Sequence, residues 1–207
     1  PYAKRGEVQV RVSAKAENAD AAYALADPVV EQIKSILGDV VYGVDVGSLQ
    51  AAVVALLNEK KLTVALAESC TGGKVSAAIT DIPGASDVFG CGICAYSNEI
   101  KQKVLHVSAD TLAAHGAVSA ETAREMAAGV RALSGADIGI SITGIAGPGG
   151  GSAEKPVGLV WFGVNCAAFQ ETGKQLLSRG HKDERGLIRH MAMLHALDLV
   201  RRAALRL

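Results

Sequence analysis

An apolar run at residues 62–67 stops abruptly at Glu68-Ser69-Cys70-Thr71-Gly72-Gly73, and a helical pattern starts at once with Lys74. A second apolar run, at 138–143, ends the same way, in Thr143-Gly144-Ile145-Ala146-Gly147-Pro148-Gly149-Gly150-Gly151-Ser152. Strands that alternate with helices and end in such turns predict an α/β sandwich. In open α/β sheets, ligands bind at the C-terminal ends of the strands, where both turns fall. A strand–turn–helix junction also presents hydroxyl oxygens and backbone N–H groups to an anion or a developing oxyanion. Ser and Thr are equally favoured as plain helix caps. The second glycine-rich turn tips the reading toward a functional edge.

The pattern divides the chain near Gly47-Ser48. Residues 7–13 alternate polar and apolar as a half-buried strand does. A helix is predicted over 18–37, with a kink or restart at Pro28 because proline removes a helical hydrogen bond. Val40-Val41-Tyr42-Gly43-Val44 reads as a second strand. Residues 1–46 are therefore expected to form a small βαβ unit, too short for an independent core. Over 49–207 a three-layer α/β/α sandwich is expected. Its strands are predicted at 63–67, 92–96, 138–143, 158–164 and near 174–178. Its helices are predicted at 49–60, from Lys74, and at 98–105, 108–115, 119–134 and 183–205.

Several function classes lose support from composition. Lys plus Arg and Asp plus Glu number 21 each, so the formal net charge is zero. Nonspecific nucleic-acid binding needs a basic surface, and none is expected here. No apolar run reaches membrane-spanning length. The first residues, Pro1-Tyr2-Ala3-Lys4-Arg5-Gly6-Glu7, lack the apolar core of a signal peptide and lack a Met. A fragment or processed product in the cytoplasm is the expectation. Four cysteines suit a reducing compartment better than a disulfide framework. Cys91 and Cys94 have C-x-x-C spacing, but three residues apart on a strand means opposite faces. No second ligand pair accompanies them, so no metal is expected.

Ser69 and Thr71 are the candidate nucleophiles, with Cys70 between them. Serine is inert at neutral pH unless a base takes its proton. His106, His115, His181, His190 and His195 lack the context of a triad. Lysine is the other partner serine uses, and Lys101 enters a helix just after the strand that ends at Tyr96. Spacing alone reads Lys101 as a solvated helix lysine.

Five segments together carry a family resemblance. They are Glu68 to Gly73, Tyr96-Ser97-Asn98-Glu99-Ile100-Lys101, His115-Gly116-Ala117-Val118-Ser119, Thr143 to Pro148, and Lys155-Pro156-Val157-Gly158-Leu159-Val160-Trp161. Residues 49–207 resemble the C-terminal domain of the competence/damage-inducible CinA proteins, the nicotinamide mononucleotide deamidase family. Residues 1–46 resemble the KH-like connecting domain of longer CinA proteins. The domain such proteins carry ahead of it, linked to ADP-ribose pyrophosphatase activity, is not in this sequence, so that activity is not expected.

The resemblance implies hydrolysis of the carboxamide of nicotinamide mononucleotide, without cofactor or metal, giving nicotinate mononucleotide and ammonia. It makes Ser69 the nucleophile and Lys101 the general base, with Tyr96 in the same network. Thr143 and Arg185 are implied to contact substrate or support the site. Lys101 has to be neutral to act, and burial or a cation such as Arg185 lowers a lysine pKa. The turn N–H groups of Thr71, Gly72 and Gly73 are expected to face the oxyanion, and Gly144 and Gly147 to line the nucleotide. A homo-oligomer, a dimer, is the expected assembly. Two rivals stand beside this reading: a catalytically silent nucleotide-binding or regulatory module, and a thiol amidase using Cys70. Adjacent residues at a sharp turn face different ways, so Ser69 and Cys70 are not both expected to reach substrate.

Overall fold

All residues, Pro1–Leu207, are described in the computed structural model, and the chain divides into two units at Val46 and Gly47. In the first, β1 (Tyr2–Ala3) and β2 (Val8–Gln9) pair antiparallel, and helix α1 (Ala19–Leu37) follows. Asn18 caps α1 by accepting a hydrogen bond from the Ala21 N–H at 2.9 Å. The helix runs through Pro28 without a break. The expected βαβ order is corrected to ββα. Residues 38–41 close on themselves, since Gly38 has φ 62° and the Val41 N–H donates to the Gly38 carbonyl at 3.2 Å. A 3-10 turn thus occupies Gly38–Val40, and residues 41–44 find no strand edge. The Tyr42 hydroxyl instead donates to Glu7 Oε1 at 2.7 Å. The strand expected over 7–13 shrinks to β2.

The second unit begins with α2 (Leu49–Lys60), capped by Ser48, and continues into β3 (Val64–Glu68) and α3 (Lys74–Thr80). Strand β4 (Phe89–Cys94) precedes three helices, α4 (Asn98–Leu105), α5 (Ala109–His115) and α6 (Ala120–Ser134). Strands β5 (Ile138–Gly144), β6 (Leu159–Cys166) and β7 (Gln170–Leu176) lead to the closing helix α7 (Glu184–Leu205). Ser97, Ser108, Ser119 and Asp183 each accept a bond from a first-turn N–H of the helix that follows. Hydroxyl and carboxylate caps of this kind satisfy donors that a helix start leaves unpaired.

The sheet order is β4-β3-β5-β6-β7. Strand β3 runs parallel to β4 and β5, whereas β6 and β7 are antiparallel additions. Helices α4, α5 and α6 cover one face and α2, α3 and α7 the other, giving three layers. Every residue of β3 is buried, as a strand covered on both faces requires. On the α6 side, Ala65 and Ala67 pack with Ala95, Leu105, Val107, Met126 and Val130. The β3 alanines leave room for the larger side chains of α4 and α6.

Three glycines let α6 lie close to its neighbours. A Cβ on Gly139 of β5 would fall 2.3 Å from the Ala127 carbonyl oxygen, and one on Gly163 of β6 would fall 2.4 Å from that of Ala123. These carbonyls are one helical turn apart, so the α6 backbone rests directly on two strands. Gly129 of α6 meets the end of α4, where an added Cβ would lie 2.0 Å from the Leu105 carbonyl oxygen. Gly129→Ala forces backbone apart and is expected to destabilise the protein by at least the ~1–3 kcal/mol of an overpacked core. Urea unfolding followed by circular dichroism measures this. Gly90→Ala, which meets nothing within 4 Å on the outer strand, is the matched control and should leave the midpoint nearly unchanged.

Candidate active site

Strand β3 delivers the first turn. The Ser69 N–H donates to the Ile142 carbonyl at 2.9 Å, extending the ladder one residue past Glu68. The chain then leaves the sheet, and Gly72 and Gly73 take φ of 59° and 89°, values that glycine adopts without a Cβ clash. Buried Glu68 folds back over this turn. Its carboxylate accepts from the N–H groups of Gly73 (2.9 Å), Val75 (3.2 Å) and Ser76 (2.8 Å), and from Ser76 Oγ (2.7 Å). It therefore takes the donors that the start of α3 leaves free. The Gly72 N–H donates to the Ser69 carbonyl at 3.0 Å.

This arrangement revises the expectation for the turn. The N–H groups of Gly72 and Gly73 are already occupied, and Thr71, Gly72 and Gly73 are not on the wall of the adjoining cavity. Between Cys70 and Ser76, the N–H groups of Cys70 and Thr71 are the two not tied to another residue. Thr71 is fully buried, and its Oγ1 is a buried side-chain oxygen without a hydrogen-bond partner.

Lys101 comes from α4. Ser97 caps that helix, its Oγ accepting from the Ile100 N–H at 3.2 Å. One turn on, Lys101 shares an inward face with Leu105. Its residue exposure is 1%, so it is a core lysine and not a solvated one. The ammonium nitrogen lies 3.2 Å from Ser69 Oγ, 2.8 Å from the Ala95 carbonyl oxygen and 3.5 Å from that of Tyr96. Burial pushes the Lys101 pKa below the ordinary lysine value, with Cys70 and Cys94 acting in the opposite direction. Burial disfavours the charged form of an amine. The expected contribution of Arg185 is not among the causes.

A cavity of about 210 Å³ opens over the pair, lined by Ser69, Lys101, Tyr96, Thr143, Gly144 and Arg185. Cys70 is also on its wall, with Ala117, Val118 and Ala146 as the apolar part. Ser69 and Cys70 are thus both lining residues of the cavity. They differ in chemistry: burial raises the Cys70 thiol to about 12. Thr143 is buried at the end of β5 and donates its hydroxyl proton to the Ala117 carbonyl at 2.6 Å. Its lone pairs remain as acceptors. Arg185, on the first turn of α7, spans the cavity mouth, with Nη1 donating to the Gly147 carbonyl and Nη2 lying 3.4 Å from the Tyr96 hydroxyl. Gly147 therefore anchors Arg185 and is not itself on the wall.

None of the five histidines lines this cavity. His195 packs edge-on against Phe162, their ring centroids 4.5 Å apart, and burial lowers its pKa. His115 faces Glu121 at 3.7 Å, in a neighbouring groove of about 730 Å³ that shares Val118 with the cavity. Cys91 is half-buried against the core and Cys94 is exposed, on opposite faces of β4. No three His, Cys, Asp or Glu side chains converge as metal ligands.

The two segments match known families separately. Residues 46–204 match the CinA C-terminal domain, and residues 1–43 match the damage-inducible protein CinA KH domain. The chain belongs to the CinA family. A CinA-like protein of Desulfovibrio desulfuricans is 52% identical over 202 residues, which are 98% of this chain and 47% of that protein. One from Kosmotoga olearia is 50% identical over 207 residues, 100% of this chain and 49% of the relative. The chain thus spans about half the length of the curated relatives it matches.

Solved structures agree with this membership. The competence/damage-inducible protein CihA from Agrobacterium tumefaciens superposes with a TM-score of 0.70 at 38% identity, covering 74% of this chain and 92% of that one. A CinA superfamily protein from Klebsiella pneumoniae gives 0.71 at 34% identity, covering 77% and 97%. No helix of this CinA-family chain is long and apolar enough to cross a membrane.

Proposed function

We propose that this CinA-family chain hydrolyses the carboxamide of nicotinamide mononucleotide, using Ser69 as nucleophile and Lys101 as its base. The observation that carries the reading is a buried lysine amine 3.2 Å from the hydroxyl of a strand-end serine, both on the wall of one cavity. A neutral amine has two N–H donors and one lone pair. The carbonyls of Ala95 and Tyr96 engage the two donors, and the lone pair is left for the Ser69 proton. This is the activated-nucleophile geometry of covalent hydrolysis.

In the first step Ser69 Oγ forms a bond to the carboxamide carbon and its proton passes to Lys101. The carbonyl electrons move onto oxygen, where the N–H group of Cys70, a residue of the cavity wall, receives the charge. Collapse breaks the C–N bond, the Lys101 proton goes to the departing nitrogen, and ammonia leaves a Ser69 ester. Water then attacks the ester with Lys101 again as base. The bond from the acyl carbon to Ser69 Oγ breaks, Lys101 returns the proton to Ser69 Oγ, and the carboxylate is released. Thr143 Oγ1, its own proton committed to Ala117, accepts from the amide NH₂ and so favours a primary carboxamide. At about 210 Å³ the cavity is smaller than the ~300–1,000 Å³ of typical ligand pockets. It suits the pyridine ring and carboxamide, with the phosphoribosyl group extending into the groove beyond Val118.

Cys70 is the second candidate nucleophile because it shares the wall, but a thiol held near 12 supplies little thiolate at neutral pH. Ammonia release with nicotinamide mononucleotide, nicotinamide and nicotinamide riboside tests the assignment. Release from the mononucleotide well above the other two is expected. Equal release, or none from the mononucleotide, overturns it.

A further inference from the structure

Arg189 lies four residues after Arg185 on α7, so the two side chains leave one face of the helix. They act in different places. Arg185 bridges the cavity mouth, whereas Arg189 is not on the cavity wall. Its guanidinium reaches the back of the nucleophile turn, where Nε donates to the Cys70 carbonyl at 3.1 Å and Nη2 to the Thr71 carbonyl at 2.7 Å. A guanidinium is a rigid planar fork, so two bonds from it fix two successive peptide groups together. In a planar trans peptide the C=O and N–H point in opposite directions. Holding the Cys70 carbonyl therefore sets the Thr71 N–H.

The turn needs such external fixing because its next two residues are Gly72 and Gly73, the least restricted residue type. An added Cβ on Gly72 would lie 3.2 Å from Arg189 Nη2, so the fork packs closely against the turn backbone. Glu68 secures the other side, binding the N–H groups of Gly73, Val75 and Ser76. An acid from β3 thus holds the donors, and a base from α7 holds the acceptors. The Glu68 half keeps α3 in place. The Arg189 half holds the carbonyls of Cys70 and Thr71, the two residues that follow Ser69.

We propose that Arg189 is a positioning residue for the Ser69 reaction. Through the Cys70 and Thr71 carbonyls it keeps the 70–71 peptide, and with it the Thr71 N–H, in fixed relation to Ser69 Oγ without touching substrate. The reactive consequence rests on the reading of Ser69 as nucleophile; the clamp itself does not.

Arg189→Gln and Arg189→Lys, each shown by circular dichroism to be folded, test both parts. Amide hydrogen exchange reads the clamp directly. Exchange in residues 70–73 should accelerate at least about tenfold in Arg189→Gln, as local opening grows easier, while β5 and β6 keep their protection. Steady-state kinetics read the consequence. The kcat for ammonia release should fall about 100-fold, as for a small misplacement of reacting groups, with KM within about threefold. Arg189→Lys should recover only part of the loss, since one ammonium cannot hold two carbonyls in a fixed plane. Unchanged exchange in residues 70–73 overturns the clamp, and faster exchange with unchanged kcat overturns its role in the reaction. Wild-type protein without turnover would refute the amidase reading alone, because exchange still decides the clamp.

Discussion

Ser69→Ala is expected to reduce ammonia release from nicotinamide mononucleotide by roughly 10⁴-fold or more, on the scale of nucleophile loss in hydrolases. The substitution removes the proposed nucleophilic oxygen and leaves the rest of the cavity in place. Tyr96, Thr143 and Arg185 keep their contacts, so substrate binding measured by calorimetry should change little. Cys70→Ala, on the same wall, should keep turnover within a few-fold of wild type. With the Cys70 thiol near 12, only about one thiol in 10⁵ is ionised at pH 7. An inactive Cys70→Ala beside a working Ser69→Ala would reverse the assignment.

Lys101→Met should abolish turnover as completely, because no other base stands within reach of Ser69 Oγ. Lys101→Arg should fail too, since a guanidinium stays protonated and cannot accept the serine proton. In wild type, activity should rise with pH as Lys101 deprotonates, with an apparent pKa below the ~10.4 of free lysine. Stability carries the same signature. Burial lowers the folded-state pKa, so between it and the unfolded value the unfolded chain binds more protons. Stability therefore rises with pH across that window, is full above the unfolded pKa and is lost as pH falls through the folded one. Urea unfolding at a series of pH values should show this rise in wild type and lack it in Lys101→Met. A Met variant with near-normal turnover and an unchanged pH profile would end the Ser–Lys account.

The layers of the second unit were legible because the strands are short apolar runs and the helices start at hydroxyl or carboxylate caps. Helix α4 begins and ends as its spacing predicts, and α7 starts beside Asp183 as expected. In the first unit, the strand pattern of Val40-Val41-Tyr42-Gly43-Val44 does not become a strand. Branched apolar residues give a strand pattern whether or not an edge is available to pair with, and here the chain closes on Gly38 instead. Strand β4 starts three residues before the expected position, at Phe89, because its parallel register with β3 begins at Val64.

In the site, local patterns and long-range contacts separate clearly. Ser69 announces itself through its turn, whereas Lys101 looks solvated until its i, i+4 relation to buried Leu105 is weighed. The pairing of Arg185 with Tyr96 spans 89 residues of sequence, and the Arg189 bond to Cys70 spans 119. No local spacing encodes either. The same holds for Glu68, which from sequence is the last residue of a strand and in three dimensions accepts from the Gly73 N–H, one of the three assigned to an oxyanion.

Trapping the covalent intermediate tests the Ser69–Lys101 account most directly. Protein turning over nicotinamide mononucleotide would be quenched in acid within milliseconds and analysed by peptide mass spectrometry. The account predicts that the peptide containing Ser69 gains the mass of the substrate acyl group, that Ser69 carries the ester, and that the adduct is absent from Ser69→Ala. An acyl group on Cys70, or rapid product formation by Ser69→Ala, would contradict it.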